Sequence, residues 1–166
     1  MRPIDKSRFV LLVDEHKGIL FKVASAYCRT PDDRGDLAQE MIVQLWRAFP
    51  RFDERQRFST WMYRIAMNVA ISFYRKEWRR QRDVVPLDEL GLDVGGADRA
   101  FDAASDDVRR LQQRLKTLGE LDRALVLLYL DGYSHDETAE LMGLTATNVS
   151  TRIARIKKKL QQEWEA

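Results

Sequence analysis

The polar residues of this chain that could do chemistry are grouped for contact with nucleic acid, not for making and breaking bonds. From Thr145 to Glu163 a helical repeat carries Val149, Ile153, Ile156 and Leu160 on one face. The opposite face carries Thr147, Asn148, Thr151, Arg152 and Arg155. Residues 152–159 hold five cations, Arg152, Arg155, Lys157, Lys158 and Lys159, and no acid. Short polar side chains at the head of a helix can reach base edges in a major groove, and cations behind them can reach phosphates.

Taken alone, a basic helix is more often a plain solvated face. The segment ahead of it tilts the reading toward DNA. Ser134 and Glu137 have the spacing of a capping box. Ala139 stands where the two helices of a helix-turn-helix approach closely. Gly143 suits the left-handed residue that ends the first helix, and Thr145 suits the cap of the second. His135 reads as an exposed residue at a helix start, with neither ligand nor base beside it.

Residues 58–82 form a second group, with aromatics at the front and cations behind. Arg75, Lys76, Arg79, Arg80 and Arg82 surround the lone acid Glu77. Unstacked bases need aromatic platforms and their backbone needs cations, so this mixture suits a single strand. Trp61, Phe73 and Tyr63 also read as core. Phe52 and Phe58, in a polar loop, read less readily so. Asn68, inside an apolar helix, is either a satisfied polar bridge or a base-reading amide.

These groups need helices to hold them, and helical periodicity runs through most of the chain. The expected fold class is all-α, two small helical domains joined by a flexible linker. In the first, Phe9, Val13, Leu20, Val23 and Ala24 form one stripe of a helix interrupted near residues 16–18. A turn at Thr30-Pro31-Asp32-Asp33 precedes a helix over residues 36–49, which Pro50 stops. A third helix spans residues 59–82, with Trp61, Ile65, Val69 and Phe73 facing inward. In the second domain helices follow Leu111, Leu115 and Leu118, then Leu121, Leu125 and Leu128, then residues 134–142 and 145–163. Domain limits are expected at residues 1–84 and 108–166. Residues 83–107 hold seven aspartates and one glutamate against one arginine. This acidic stretch reads as a tether that avoids nucleic acid, or as a mimic of nucleic acid lying in a partner's basic channel.

Composition narrows the function classes. One cysteine and two histidines give neither an internal disulfide nor a zinc set, and Cys28 reads as a buried thiol in a reducing cytosol. Neither a nucleophile–base arrangement nor a phosphate-cradling glycine loop occurs, so no catalytic residues, metal or cofactor are expected. Charges break the first residues, which excludes an ordinary signal peptide. No apolar run reaches the length of a membrane span, so no membrane insertion is expected and the protein reads as soluble and cytoplasmic. The net charge of +2 names no partner.

Three strings in order resemble the extracytoplasmic-function (ECF) sigma factors of bacterial RNA polymerase. Asp36-Leu-Ala-Gln-Glu-Met-Ile-Val-Gln-Leu-Trp46 is similar to the family's helix for the β′ clamp helices. Phe58-Ser-Thr-Trp-Met-Tyr-Arg-Ile-Ala-Met-Asn68 is similar to its promoter-melting segment, and Leu121 to Ser134 opens a match to its C-terminal domain. The resemblance implies polymerase contacts at Asp36, Leu37, Gln39, Glu40, Gln44 and Trp46. It implies single-strand contacts at the minus-ten element from Phe52, Phe58, Ser59, Trp61, Tyr63, Arg64, Asn68, Arg75, Lys76, Arg79 and Arg80, capturing a flipped base. It implies duplex contacts at the minus-thirty-five element from Thr145, Thr147, Asn148, Thr151, Arg152, Arg155 and Lys158. The implied partners are core RNA polymerase (β′ clamp helices and β flap), promoter DNA and an anti-sigma factor. The family often has an acid four residues after the asparagine, where this chain has Ser72. The chain stops soon after its last helix, with no sensory extension, so control is expected from outside.

Two other classes fit the sequence less well. A helix-turn-helix regulator acting without polymerase leaves residues 58–82 without a task and lacks a dimerisation heptad. A sigma mimic that titrates an anti-sigma factor should have lost the cations and aromatics that this chain keeps.

Overall fold

The computed structural model describes residues 5–76 and 105–165, and every regular element among them is helical. The chain divides into two compact units, Met1–Asp106 and Asp107–Ala166. The first contains α1 (Lys6–Tyr27), α2 (Pro31–Ala48), a single 3-10 turn (Phe49–Arg51) and α3 (Phe58–Lys76). Next come α4 (Asp106–Leu115), α5 (Glu120–Leu130), α6 (His135–Met142) and α7 (Ala146–Glu165). The expected all-α architecture is what is found. The acidic stretch up to residue 104, and the expected extension of the third helix to residue 82, lie outside the described residues.

In the first unit, α1, α2 and α3 each pack on the other two. Phe9, Val13, Leu20, Val23 and Ala24 are buried, as their stripe predicts, but α1 runs unbroken through residues 16–18. Gly18 costs a helix about 1 kcal/mol relative to alanine. Burying one Phe or Leu contributes about 1.5–3 kcal/mol, so packing prevails. His16 stays inside the helix by bonding its Nδ1 to the Leu12 carbonyl at 2.9 Å.

The expected turn at residues 30–33 is instead the first turn of α2. The Thr30 hydroxyl accepts from the Asp33 N–H at 3.1 Å, Pro31 occupies the first helical position, and Asp32 and Asp33 lie at the positive helix end. Proline there lacks only an N–H that would go unpaired anyway, so the residues that mark a turn equally start a helix. Cys28 is buried and caps the preceding helix through its backbone N–H.

The inner face of α3 is also rotated from the expected one. Its most buried residues are Met62, Tyr63, Ala66, Met67 and Ala70, whereas Ile65 and Phe73 are half-buried. Two partner helices enclose a wider arc than a single four-residue step can describe.

In the second unit α5, α6 and α7 pack pairwise around Leu125, Ala139, Val149 and Ile153. Among charged residues, Arg123 is buried, its Nε donating to the Leu118 carbonyl at 2.9 Å and Nη2 to the Lys116 carbonyl at 2.7 Å. It thereby closes the α4–α5 connection. The helix α4 meets the far end of α7 through Arg114 Nη2, which donates to the Glu163 carbonyl at 2.8 Å, and through Arg110, whose guanidinium lies 4.2 Å from the Trp164 ring centre.

Candidate nucleic-acid interfaces

The turn between α6 and α7 is assembled from local bonds. The Ser134 hydroxyl accepts from the Glu137 N–H at 3.1 Å while the Glu137 carboxylate accepts from the Ser134 N–H at 3.0 Å. Gly143 takes φ 72° and ψ 33°, a conformation that costs residues with a Cβ about 1–2 kcal/mol. That reversal lets both Gly143 and Leu144 donate to the Ala139 carbonyl. Thr145 Oγ1 then accepts from the Asn148 N–H at 3.1 Å and starts α7.

Ala139 fits between α6 and α7 with 6% of its surface exposed. Val149, Ile153 and Ile156 are buried and Leu160 is half-buried, which turns Thr147, Asn148, Thr151 and Arg155 outward. Thr145, Thr147, Asn148, Thr151, Arg152 and Arg155 line one open concavity. Every duplex-contact candidate except Lys158 therefore borders the same hollow, and Lys158 is exposed further along α7. Its cations are not equivalent. Arg152 donates from Nη1 to Asp122 Oδ1 at 3.0 Å and from Nε to Asn148 Oδ1 at 2.8 Å. Lys157 lies 4.1 Å from the Tyr129 ring centre. Arg155 and Lys158 are exposed.

In the first unit the aromatics bind to each other. Phe52 lies 5.5 Å from Phe58 and 5.0 Å from Trp61, Phe58 lies 5.3 Å from Trp61, and Phe49 touches Phe9, Phe52 and Trp61. Phe58 and Trp61 are each 7% exposed and Tyr63 is 1% exposed. These three rings are core, the alternative that the sequence also offered for Trp61 and Tyr63 and offered less readily for Phe58. The loop's polarity concealed this, because Asp53, Glu54, Arg55 and Arg57 face solvent while Phe52 and Phe58 anchor the segment beneath them. Glu54 pairs with Arg8 of α1. Arg55 clamps Asp53 with both Nε and Nη2, and those hydrogen bonds, followed by one from the Arg55 N–H, hold the Asp53 carboxyl below its ordinary pKa. The side-chain bonds, and then the charge of the Asp53 carboxylate, raise that of Arg55.

Asn68 is exposed, so it is not the satisfied core bridge that sequence also allowed. It borders an open groove with Gln44, Ala48, Ile65, Val69 and Ser72. The structure thus brings Gln44, expected to face polymerase, together with Asn68, expected to face single-stranded DNA. Ile65 and Val69 supply an apolar floor that no reading of the motif singled out, although their spacing around Asn68 contains it. Ser59 and Arg64 are half-buried on α3, and Arg75 is exposed near its end. The backbone of Lys76 ends α3, whereas Arg79 and Arg80 lie outside the described residues.

Of the polymerase candidates on α2, Leu37 is fully buried and Glu40 is 4% exposed, so both support the helix from inside. Gln44 Nε2 donates to Glu40 Oε1 at 2.9 Å. Asp36, Gln39, Gln44 and Trp46 are half-buried and reach the surface, with Trp46 set edge-on to Phe9 at 5.1 Å. Among the described residues no cluster of His, Cys, Asp or Glu could hold a metal ion, and no helix is long and apolar enough to cross a membrane.

A three-helix unit followed by a helix-turn-helix unit is the organisation of a sigma-70 class factor, and the family comparisons agree. Residues 12–80 match the family described as Sigma-70 region 2, and residues 108–160 match Sigma-70, region 4. The ECF RNA polymerase sigma-E factor of Haemophilus influenzae is 28% identical over 96% of this chain and 88% of its own length. The RNA polymerase sigma factor NccH of Alcaligenes xylosoxydans is 29% identical over 94% of this chain and 86% of its own. Among solved structures, the sigma factor RpoE of Bartonella quintana, in complex with the anti-sigma factor NepR, has the same fold, with a TM-score of 0.68 at 19% identity over 97% of this chain and 96% of that one. CnrH, in complex with the cytosolic domain of CnrY, shares it at a TM-score of 0.61 and 24% identity, over 97% of this chain and 90% of that one. The chain belongs to the ECF sigma factors of the sigma-70 family, a regulatory class without enzymatic activity of its own.

Proposed function

We propose that this sigma factor divides promoter recognition between its two units. The α7 face of Thr147, Asn148, Thr151 and Arg155 reads the minus-thirty-five element as duplex. The groove around Asn68 receives an unstacked base of the minus-ten element. Unstacking costs a few kcal/mol, and a preformed apolar floor at Ile65 and Val69 with an amide beside it offsets part of that. The observation that carries the reading is the outward polar face of α7, held by a left-handed Gly143 turn against a fully packed inner face.

Asp36, Gln39, Gln44 and Trp46 contact the β′ clamp helices, and the second unit contacts the β flap. Working with polymerase puts the protein in the cytoplasm. Of the two structural neighbours, one is seen with the anti-sigma factor NepR and the other with the cytosolic domain of CnrY, which supports restraint of this factor by a protein partner. The test is run-off transcription from genomic fragments with core polymerase. Initiation at a defined promoter subset is expected, and failure to open any promoter would refute the reading. Loss of that activity in Asn68→Ala, with binding to core intact, would support the assignment of the groove.

A further inference from the structure

We propose that Asp122, on α5 and off the reading face of α7, sets base preference there by fixing how Arg152 and Asn148 present their polar atoms. The inference rests on α7 being the duplex-reading helix. Arg152 Nε donates to Asn148 Oδ1 at 2.8 Å, and Arg152 Nη1 donates to Asp122 Oδ1 at 3.0 Å. An arginine N–H can only donate, so the Asn148 atom facing it is the oxygen and not the amide nitrogen. Asn148 is exposed and borders the hollow, and with its oxygen turned to Arg152 its NH2 is the part of the amide left for a base. Arg152 no longer has its Nε–Nη2 edge for a two-pronged contact, but Nη2 keeps both N–H groups. The outward set is therefore made of donors.

Base edges in the major groove respond differently to such a set. Guanine offers acceptors at N7 and O6, and thymine offers O4. Adenine and cytosine each place an amino donor in the groove, and the usual asparagine–adenine pair needs the asparagine oxygen as acceptor. Here one of that oxygen's two lone pairs already accepts from a charged N–H, which holds the amide turned toward Arg152 and weakens the oxygen as an acceptor for adenine. The pair consequently favours the keto bases, guanine and thymine, over the amino bases. Asp122 maintains the arrangement. Without it the guanidinium is free to swing away, Asn148 Oδ1 is released, and adenine becomes acceptable. Asp122 also cancels the Arg152 charge, so its removal exposes one more cation to phosphates.

Asp122 is thus a positioning residue whose loss has two effects of opposite sign, lower discrimination and higher affinity for random DNA. An acid that merely stabilised α5 would lower both together. The experiment selects duplex promoters randomised over the upstream element with the full chain and core polymerase, and sequences the bound fraction. Asn148→Ala locates the responding position. Wild type should prefer guanine or thymine there over adenine and cytosine by about tenfold, equivalent to about 1.4 kcal/mol. Asp122→Ala should reduce this below about threefold and steepen the salt dependence on random DNA by about one phosphate contact. Asp122→Asn, which keeps an oxygen in place without the charge, should keep much of the preference yet raise random-DNA affinity, and it serves if the alanine variant is poorly folded. A wild-type preference for adenine at that position, no position responding to Asn148→Ala, or unchanged profiles in both Asp122 variants would overturn the proposal. If Arg155→Ala still weakens duplex binding, only the proposal falls. If it does not, the assignment of α7 falls with it.

Discussion

Replacing Arg155 by alanine should weaken duplex binding and flatten its salt dependence, whereas replacing Arg152, with its partner Asp122 replaced alongside, should flatten it far less. The two side chains are three residues apart on one basic helix, yet their surroundings differ. Arg155 is exposed, and no acid pairs with it among the described residues. Arg152 lies 3.0 Å from the Asp122 carboxylate. At 0.1 M salt the screening length is about 10 Å, so a phosphate sees that pair as a nearly neutral dipole. Each neutralised phosphate contributes a slope of about −0.9 in log K against log salt. Losing the Arg155 contact should therefore make the variant-to-wild-type affinity gap shrink by about 3.5-fold between 50 and 200 mM salt. For Arg152→Ala made together with Asp122→Ala, which leaves no unpaired carboxylate, the gap should stay nearly constant across that range, because what is lost is local bonding and not a net charge. Fluorescence anisotropy with holoenzyme and a labelled upstream duplex, titrated at several salt concentrations, measures both slopes. Equal flattening by Arg155→Ala and by the paired substitution would show that the Arg152–Asp122 pair opens on DNA and that Arg152 meets a phosphate as a free charge.

Other perturbations separate architecture from contact. Phe58→Ala removes a buried ring from the aromatic cluster and should cost about 3–5 kcal/mol in thermal or denaturant unfolding. Asn68→Ala should leave unfolding unchanged and reduce open-complex formation, read by permanganate footprinting. Arg123→Ala deletes the charge-assisted bonds to the Leu118 and Lys116 carbonyls, each worth about 1.5–3 kcal/mol, and should lower the midpoint of the second unit by more than about 10 °C in calorimetry. Asp53 should titrate below the ordinary carboxylate range, and Arg55→Ala should return it there, as followed by carboxyl carbon NMR. Because the folded pKa is depressed, the brace this pair gives the 53–57 loop is fully present above the ordinary carboxyl range and is lost as pH falls through the lowered value.

Reading the chain by itself was reliable where the determinants are local. The Ser134–Glu137 box, the Gly143 reversal and the Thr145 cap each close within three or four residues, so their spelling suffices to place the helix-turn-helix and to orient α7. The inner stripe of α1 was legible for the same reason, since its period belongs to one helix. The start of α2 is ambiguous in sequence because Thr-Pro-Asp-Asp suits a turn and a helix N-terminus equally, and only the following residues' burial decides between them.

Tertiary structure decided what depends on distant neighbours. Phe58 and Trp61 are covered by each other and by Phe49 and Phe52, rings that meet only when the segment before α3 packs on it. Leu37 and Glu40 were withdrawn into the interior by the packing of the helices, while Gln44 of α2 met Asn68 of α3 in one groove. The state of Arg152 depends on Asp122, 30 residues away, and no local pattern announces that pair. Short-range hydrogen bonds made the two modules and their order readable in sequence. Which polar atoms remain free to meet DNA was settled only when the helices packed, because availability is a property of the whole surface and not of a residue type.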